Sequence, residues 1–236
     1  MRPFCIRMRP MDLSDRYIRN QSSISVEEQQ RLTDCCVLVV GAGGLGGHVL
    51  EGLVRIGVGH LMICDPDVIE ASNLNRQLLA LEGALGRPKV EAARERAQAI
   101  NSAVELRTWQ AAFPTPELVD ALSGCDVVID CLDSLEARQT LEARCHRAGV
   151  PLVYGSIAGS YIYFGISTPR NPLVAGQIGA RTSLDKQLGN PYPTVAIAAG
   201  LQLQLALSVL LGRPTPDRGF YVLDLSDLTL DFVELM

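Results

Sequence analysis

A chain of 236 residues has room for one large α/β domain or two small ones. With 47% apolar and 20% charged residues, it can bury a sizeable core and is not a disordered chain. The formal charge of −5 argues against a dedicated nucleic-acid binder and leaves space only for a local basic pocket that takes phosphates.

The first ten residues carry Arg2, Arg7 and Arg9 with no apolar stretch, which reads as an arm or an upstream start rather than a secretory signal. Residues 36–41 form a short β-branched apolar run, the mark of a buried parallel strand. Leu45, Val49, Leu50, Leu53 and Val54 then share a helix face over 44–56, and 60–65 closes a β-α-β unit. Pro88 opens a helix that ends near Asn101. Residues 104–109 predict a strand, 116–122 a short helix and 126–131 a strongly buried strand. Ser134 is placed to cap a helix running to about 147, and 152–156 is the next strand.

Beyond that point the pattern changes. Residues 161–167, 220–225 and 229–233 predict further strands, some antiparallel, separated by a Gly-, Pro- and Asn-rich stretch at 169–193 and an apolar helix at 195–211. That helix is short for a membrane span and contains Gln202 and Gln204, so it reads as a core helix and no membrane is expected. The fold expectation is α/β: a Rossmann-like, mostly parallel twisted sheet with helices on both faces and a strand-rich, partly antiparallel C-terminal extension. The organisation is one unit: an N-terminal helical arm at 1–34, a nucleotide-binding core at 35–156 and an extension at 157–236.

Gly41, Gly43, Gly44 and Gly46 follow a strand and open a helix. Such a turn lets a phosphate approach backbone N–H groups at the positive end of the helix. Asp65 ends the next strand, 19 residues after Gly46, where a carboxylate accepts hydrogen bonds from ribose hydroxyls. This fingerprint by itself does not separate NAD, FAD and ATP. The following loop does more, because Asp65, Asp67, Asn73, Asn75, Arg76 and Gln77 crowd one segment, with Lys89 and Asp133 close to the same sheet edge. Dehydrogenases have no evident need for that set. Cleaving ATP needs cations against the phosphates and a carboxylate for Mg²⁺.

With these motifs in order (RYIRNQ at 16–21, GAGGLG at 41–46, DPD at 65–67, SNLNRQ at 72–77, GRPKVE at 86–91 and DCLD at 130–133), the chain resembles the ThiF/MoeB/HesA family, bacterial relatives of ubiquitin-activating enzymes. The resemblance implies a homodimer that binds Mg·ATP and adenylates the C-terminal glycine of a ubiquitin-like sulfur-carrier protein. It also implies site roles. Asp65 would hold the ribose, Arg76 and Lys89 the phosphates, Asp133 the Mg²⁺, and Asn73 and Gln77 the pocket wall. Arg19 would serve as an arginine finger donated across the dimer. The carrier's tail would thread beneath 169–193.

Each role has a plainer rival: Arg19 as a solvated charge, Asp133 as a helix cap, Lys89 as a surface residue of a helical first turn. Rival functions are adenylation of a peptide or small acid, a non-catalytic scaffold for a ubiquitin-like protein, and an NAD-dependent oxidoreductase. The chain departs from many family members in two ways. Its seven cysteines, at 5, 35, 36, 64, 125, 131 and 145, contain no C-x-x-C pair, so no zinc is expected and a reducing cytoplasm is the expected setting. The stretch 182–189 has no cysteine, which counts against covalent transfer through an enzyme thiol. Cys125, Cys131 and Cys145 read as small core residues, and Cys64 as pointing away from the ligand.

Overall fold

Apolar runs that alternate between two faces build the centre of this molecule, seen in a computed structural model that describes residues 15–173, 189–216 and 218–235. A 3₁₀ turn (Asp15–Asn20) leads to α1 (Val26–Asp34), whose N-terminus is closed by a reciprocal cap between Ser25 and Glu28. The core then alternates: β1 (Cys36–Val40), α2 (Gly44–Ile56), β2 (His60–Cys64), α3 (Lys89–Ile100), β3 (Glu105–Trp109), α4 (Pro116–Ala121), β4 (Val127–Asp130), α5 (Leu135–Ala148) and β5 (Leu152–Ala158). Then follow β6 (Tyr161–Ser167), α6 (Tyr192–Leu211), β7 (Phe220–Asp224) and β8 (Thr229–Val233).

One sheet joins all eight strands in the order β3-β2-β1-β4-β5-β6-β7-β8. Pairings from β3 to β5 are parallel; those from β5 to β8 are antiparallel. Odd residues Val37 and Val39 pack with Leu50, Leu53, Val90 and Ala198 on the face covered by α2, α3 and α6. Even residues Leu38 and Val40 pack with Leu118, Leu141 and Cys145 on the face covered by α4 and α5. A pleated strand sends successive side chains to opposite sides, so an apolar strand without polar interruptions requires helices on both.

The expected strands and helices are present, with small shifts. The fourth strand stops at Asp130, and β5 runs on to Ala158, because its outer half finds a partner in β6 through pairs such as Ser156↔Tyr163. The boundary at 156/157 therefore falls inside β5, and core and extension share one sheet. Ser134 caps α5 as expected, accepting from the Ala137 N–H. The apolar helix α6 is long and apolar enough to cross a membrane by length and composition. Here it packs on α2 and on the sheet, with Gln202 donating to the Asp130 carbonyl at 2.7 Å. Most of the stretch 169–193 lies outside the described residues, as does residues 1–14 of the arm.

Topology decides where a ligand can sit. The chain leaves β1 for β2 on one side and later returns to place β4 on the other. After β1 it rises into α2 on one face, and after β4 into α5 on the opposite face. The connections diverge there, and a crevice opens at the carboxyl ends of β1 and β4.

Candidate active site

That crevice holds a cleft of about 380 Å³. Gly41, Gly43 and Gly44 line it after β1, Asp65 and Asp67 after β2, and Asp133 after β4. Arg76 and Gln77 close it from the loop between β2 and α3, and Lys89 from the first turn of α3. Sequence reasoning assigned all nine to one site, and the fold brings them to one place.

The glycine turn is shaped by contact rather than by flexibility alone. Gly41 has φ +101°, and a Cβ there would stand 2.5 Å from the Cys131 carbonyl oxygen. A Cβ on Gly46 would stand 1.9 Å from the Gly41 carbonyl oxygen. Gly46 is therefore not in the cleft wall; its lack of a side chain lets α2 start directly against the turn.

Asp65 is buried and already fixed. Its Oδ2 accepts from the Ala42 N–H at 2.7 Å and its Oδ1 from the Asp67 N–H at 2.8 Å. Burial pushes its carboxyl above the ordinary range, while those two donors and Lys89 pull the other way. Lys89 is 5% exposed, which removes the surface-lysine reading. Its Nζ donates to Asp67 Oδ2 at 2.8 Å and lies 3.8 Å from Asp65 Oδ1. A short antiparallel bridge between Val68 and Pro88 brings these residues together across the chain.

Asn73 differs from expectation. It is buried beside the cleft wall rather than in it, and its side chain accepts from the Glu70 N–H at 3.1 Å. Its carbonyl accepts from the N–H groups of Arg76 and Gln77, so Asn73 holds the turn that presents those two residues. Arg76 Nη1 donates to the Ser72 carbonyl at 3.0 Å and to Asn75 Oδ1 at 2.9 Å. Gln77 is buried, and its Oε1 has no hydrogen-bond partner; the same holds for Asn190 Oδ1 across the cleft. Buried acceptors of this kind are satisfied when a ligand supplies N–H or O–H groups.

Asp133 is exposed at the cleft in the turn after β4, where it helps no cap; Ser134 does that. Among the described residues no cluster of three or more His, Cys, Asp or Glu is poised for a metal. A single carboxylate facing a phosphate site nevertheless suits Mg²⁺, which keeps waters and takes substrate phosphates as ligands. Arg19 is exposed on the 3₁₀ turn and stands outside the wall of its own cleft.

Two cysteines reach the cleft. Cys131, one residue past β4, is half-buried, packing against the core on one side and lining the cleft on the other. Cys64 also contributes to the wall, although its side chain packs with Met62 and Leu38. Neither is primed for attack: burial pushes the Cys64 thiol up to about 12 and the Cys131 thiol well above its ordinary value. Arg138, Asn190, Phe113, Ile157 and Val195 also line the cleft and were not singled out from sequence. Arg138 falls five residues after Asp133, and an arginine on the inner face of the following helix was the available signal.

The ThiF family profile matches residues 15–235. The chain is 37% identical over 145 residues to the SAMP-activating enzyme E1 of Haloferax volcanii, covering 61% of this chain and 54% of that one. It is 32% identical over 200 residues to the molybdopterin-synthase adenylyltransferase of Escherichia coli, covering 83% of this chain and 80% of that one. Against the sulfur carrier protein ThiS adenylyltransferase of Escherichia coli the figures are 31% over 211 residues, 82% and 79%. The fold is that of E. coli MccB, at a TM-score of 0.76 and 20% identity, over 94% of this chain and 70% of that one. Sequence match and topology agree along almost the whole described length, and the chain belongs to the ThiF family.

Proposed function

We propose that this chain uses ATP to adenylate the C-terminal glycine carboxylate of a ubiquitin-like sulfur-carrier protein, releasing pyrophosphate. The observation that carries the reading is the gathering of Arg76, Lys89 and Asp133 around the glycine turn in one cleft. Relatives of which this chain covers about four-fifths are named adenylyltransferases. A hydride-transferring use of the cleft gives those three residues no joint task.

In the proposed step a carrier carboxylate oxygen attacks the α-phosphorus of ATP. The bond to the bridging oxygen breaks, and pyrophosphate leaves with the electron pair. No enzyme nucleophile is required, because the carboxylate is itself the attacking group. What the protein supplies is alignment and fixed charge. The glycine turn offers backbone N–H groups to phosphate. Lys89 is held by Asp67 and Asp65 before any nucleotide arrives, and two of its three N–H donors remain for phosphate oxygens. Arg76 lies on the same side, its guanidinium held through Nη1 by the Ser72 carbonyl and Asn75 Oδ1, with its other N–H donors left for phosphate. Asp133 would hold Mg²⁺, which when bound neutralises phosphate charge.

Two further parts of the reading concern partners. Leu228, Leu230 and Phe232 are exposed on the antiparallel half, which supports carrier docking on the 157–236 extension. Ile18, Val26 and Ile197 are exposed apolar residues near Arg19 in sequence or on α6, which supports a homodimer with Arg19 acting on the partner's nucleotide. The test is incubation with Mg·ATP and candidate carriers, read by pyrophosphate exchange and by the mass of an AMP adduct on the carrier. Absence of both with every ubiquitin-like candidate would sink the substrate assignment. Arg19→Ala should regain activity in mixed dimers with an otherwise dead partner; lack of complementation counts against donation in trans.

A further inference from the structure

Behind the turn that carries Asp133 lies a buried ion pair. Asp130, the last residue of β4, is fully buried, and Arg138, in the first turn of α5, is 4% exposed. Their charged atoms approach to 3.4 Å. Between them they hold both polar groups of the Leu132 backbone. The Leu132 N–H donates to Asp130 Oδ1 at 2.9 Å, and the Leu132 carbonyl accepts from Arg138 Nη2. Arg138 Nη1 also donates to the Gly155 carbonyl on β5 at 2.9 Å, and the guanidinium sits 5.1 Å above the Tyr154 ring. The Asp133 side chain, next along the chain, has no hydrogen bond or ion pair of its own among the described residues. Where that carboxylate stands is decided by the backbone before it.

Stability alone gives little reason for such a pair. Apolar replacements of buried ion pairs are often neutral or stabilising, because two charges must be stripped of water. A pair that holds one residue's backbone N–H and carbonyl together gives something that apolar packing does not, which is a fixed direction for the next side chain. We propose that Asp130 and Arg138 are positioning residues for Asp133, setting its carboxylate against the triphosphate through the Leu132 backbone. The proposal rests on Asp133 as the Mg²⁺ carboxylate. Partners that orient a metal ligand typically contribute about 10- to 100-fold to metal affinity or activity.

The test measures binding rather than turnover: ATP affinity by calorimetry with Mg²⁺ and with EDTA, the ratio of the two being the readout. Asp133→Asn should lower the ratio. Arg138→Lys keeps the charge and loses the fork; Asp130→Asn combined with Arg138→Gln removes both charges and keeps hydrogen-bonding groups. Each should lower the ratio by about tenfold or more, with any loss of affinity in EDTA much the smaller of the two. If the paired variant fails to fold, Arg138→Lys carries the test. An unchanged ratio in folded Arg138 variants overturns the positioning role. Equal losses with and without Mg²⁺ overturn it too, since they mark a general loss of cleft shape. An unchanged ratio in Asp133→Asn removes the metal assignment itself, and the positioning role with it.

Discussion

The two halves of the sheet solve different problems. In the parallel half, β1 and β4 are buried on both faces and carry the glycine turn and Asp133 at their ends. In the antiparallel half, β8 is exposed along its whole length, and its apolar side chains face solvent. The first half holds its side chains by packing on both faces; the second offers a surface. The reaction proposed above, joining a nucleotide to the tail of a protein, would use both, alignment at one end and a docking area at the other.

The sharpest way to break this comparison is at the cleft. Arg76→Ala or Asp133→Ala should lower pyrophosphate exchange by about 10²- to 10³-fold, the scale for removing one group that meets developing charge. Both side chains lie at the surface of the cleft, so the melting temperature should scarcely move. Normal exchange by both variants would refute the assigned site.

Next in size is the core of the parallel half. Leu38→Ala empties a fully buried position and should cost about 2–5 kcal/mol, measured by urea denaturation. A loss below about 1 kcal/mol would mean that the tight packing attributed to this half is wrong.

A smaller effect concerns Asp65. Burial raises its carboxyl above the unfolded value, so the folded chain holds that proton more tightly. Its favourable contribution is complete below the unfolded value and is lost as pH rises through the folded one. Wild type should therefore lose stability relative to Asp65→Asn as pH climbs from about 3.8 through the window just above it. A constant difference between the two proteins across that range would contradict the raised value.

Smallest in stability is the exposed edge. Leu230→Ser should change unfolding free energy by no more than about 0.5 kcal/mol. If this half docks the carrier, the same variant raises KM for the carrier and leaves ATP affinity alone. An unchanged KM would move the docking area elsewhere.

Much of this was legible in the residues. Continuous β-branched runs at 36–40 and 127–130 announce strands covered on both sides, and Gly41, Gly46 and Asp65 announce the turn and acid between them. Lys89 reads as a phosphate contact only through its neighbours in sequence, and the fold adds that it is buried against Asp67 at the cleft. The turn that Asn73 closes was not legible: an Asn in a polar loop serves its own turn as readily as a ligand, and only the fold gives its bond to the Glu70 N–H. Cys131 reads as a core residue and does pack against the core; that it also reaches the cleft is decided by where β4 ends, which only the fold gives.

The sequence by itself determined the local pieces, since period, glycine placement and capping depend on neighbours a few residues apart. Which pieces share a cleft was decided by tertiary structure. Asp130, Arg138 and Gln202 are separated by up to 72 residues, and they meet only because β4, α5 and α6 converge behind one turn. Buried polar groups must find partners wherever the fold supplies them, and that choice is not encoded in any short stretch of chain.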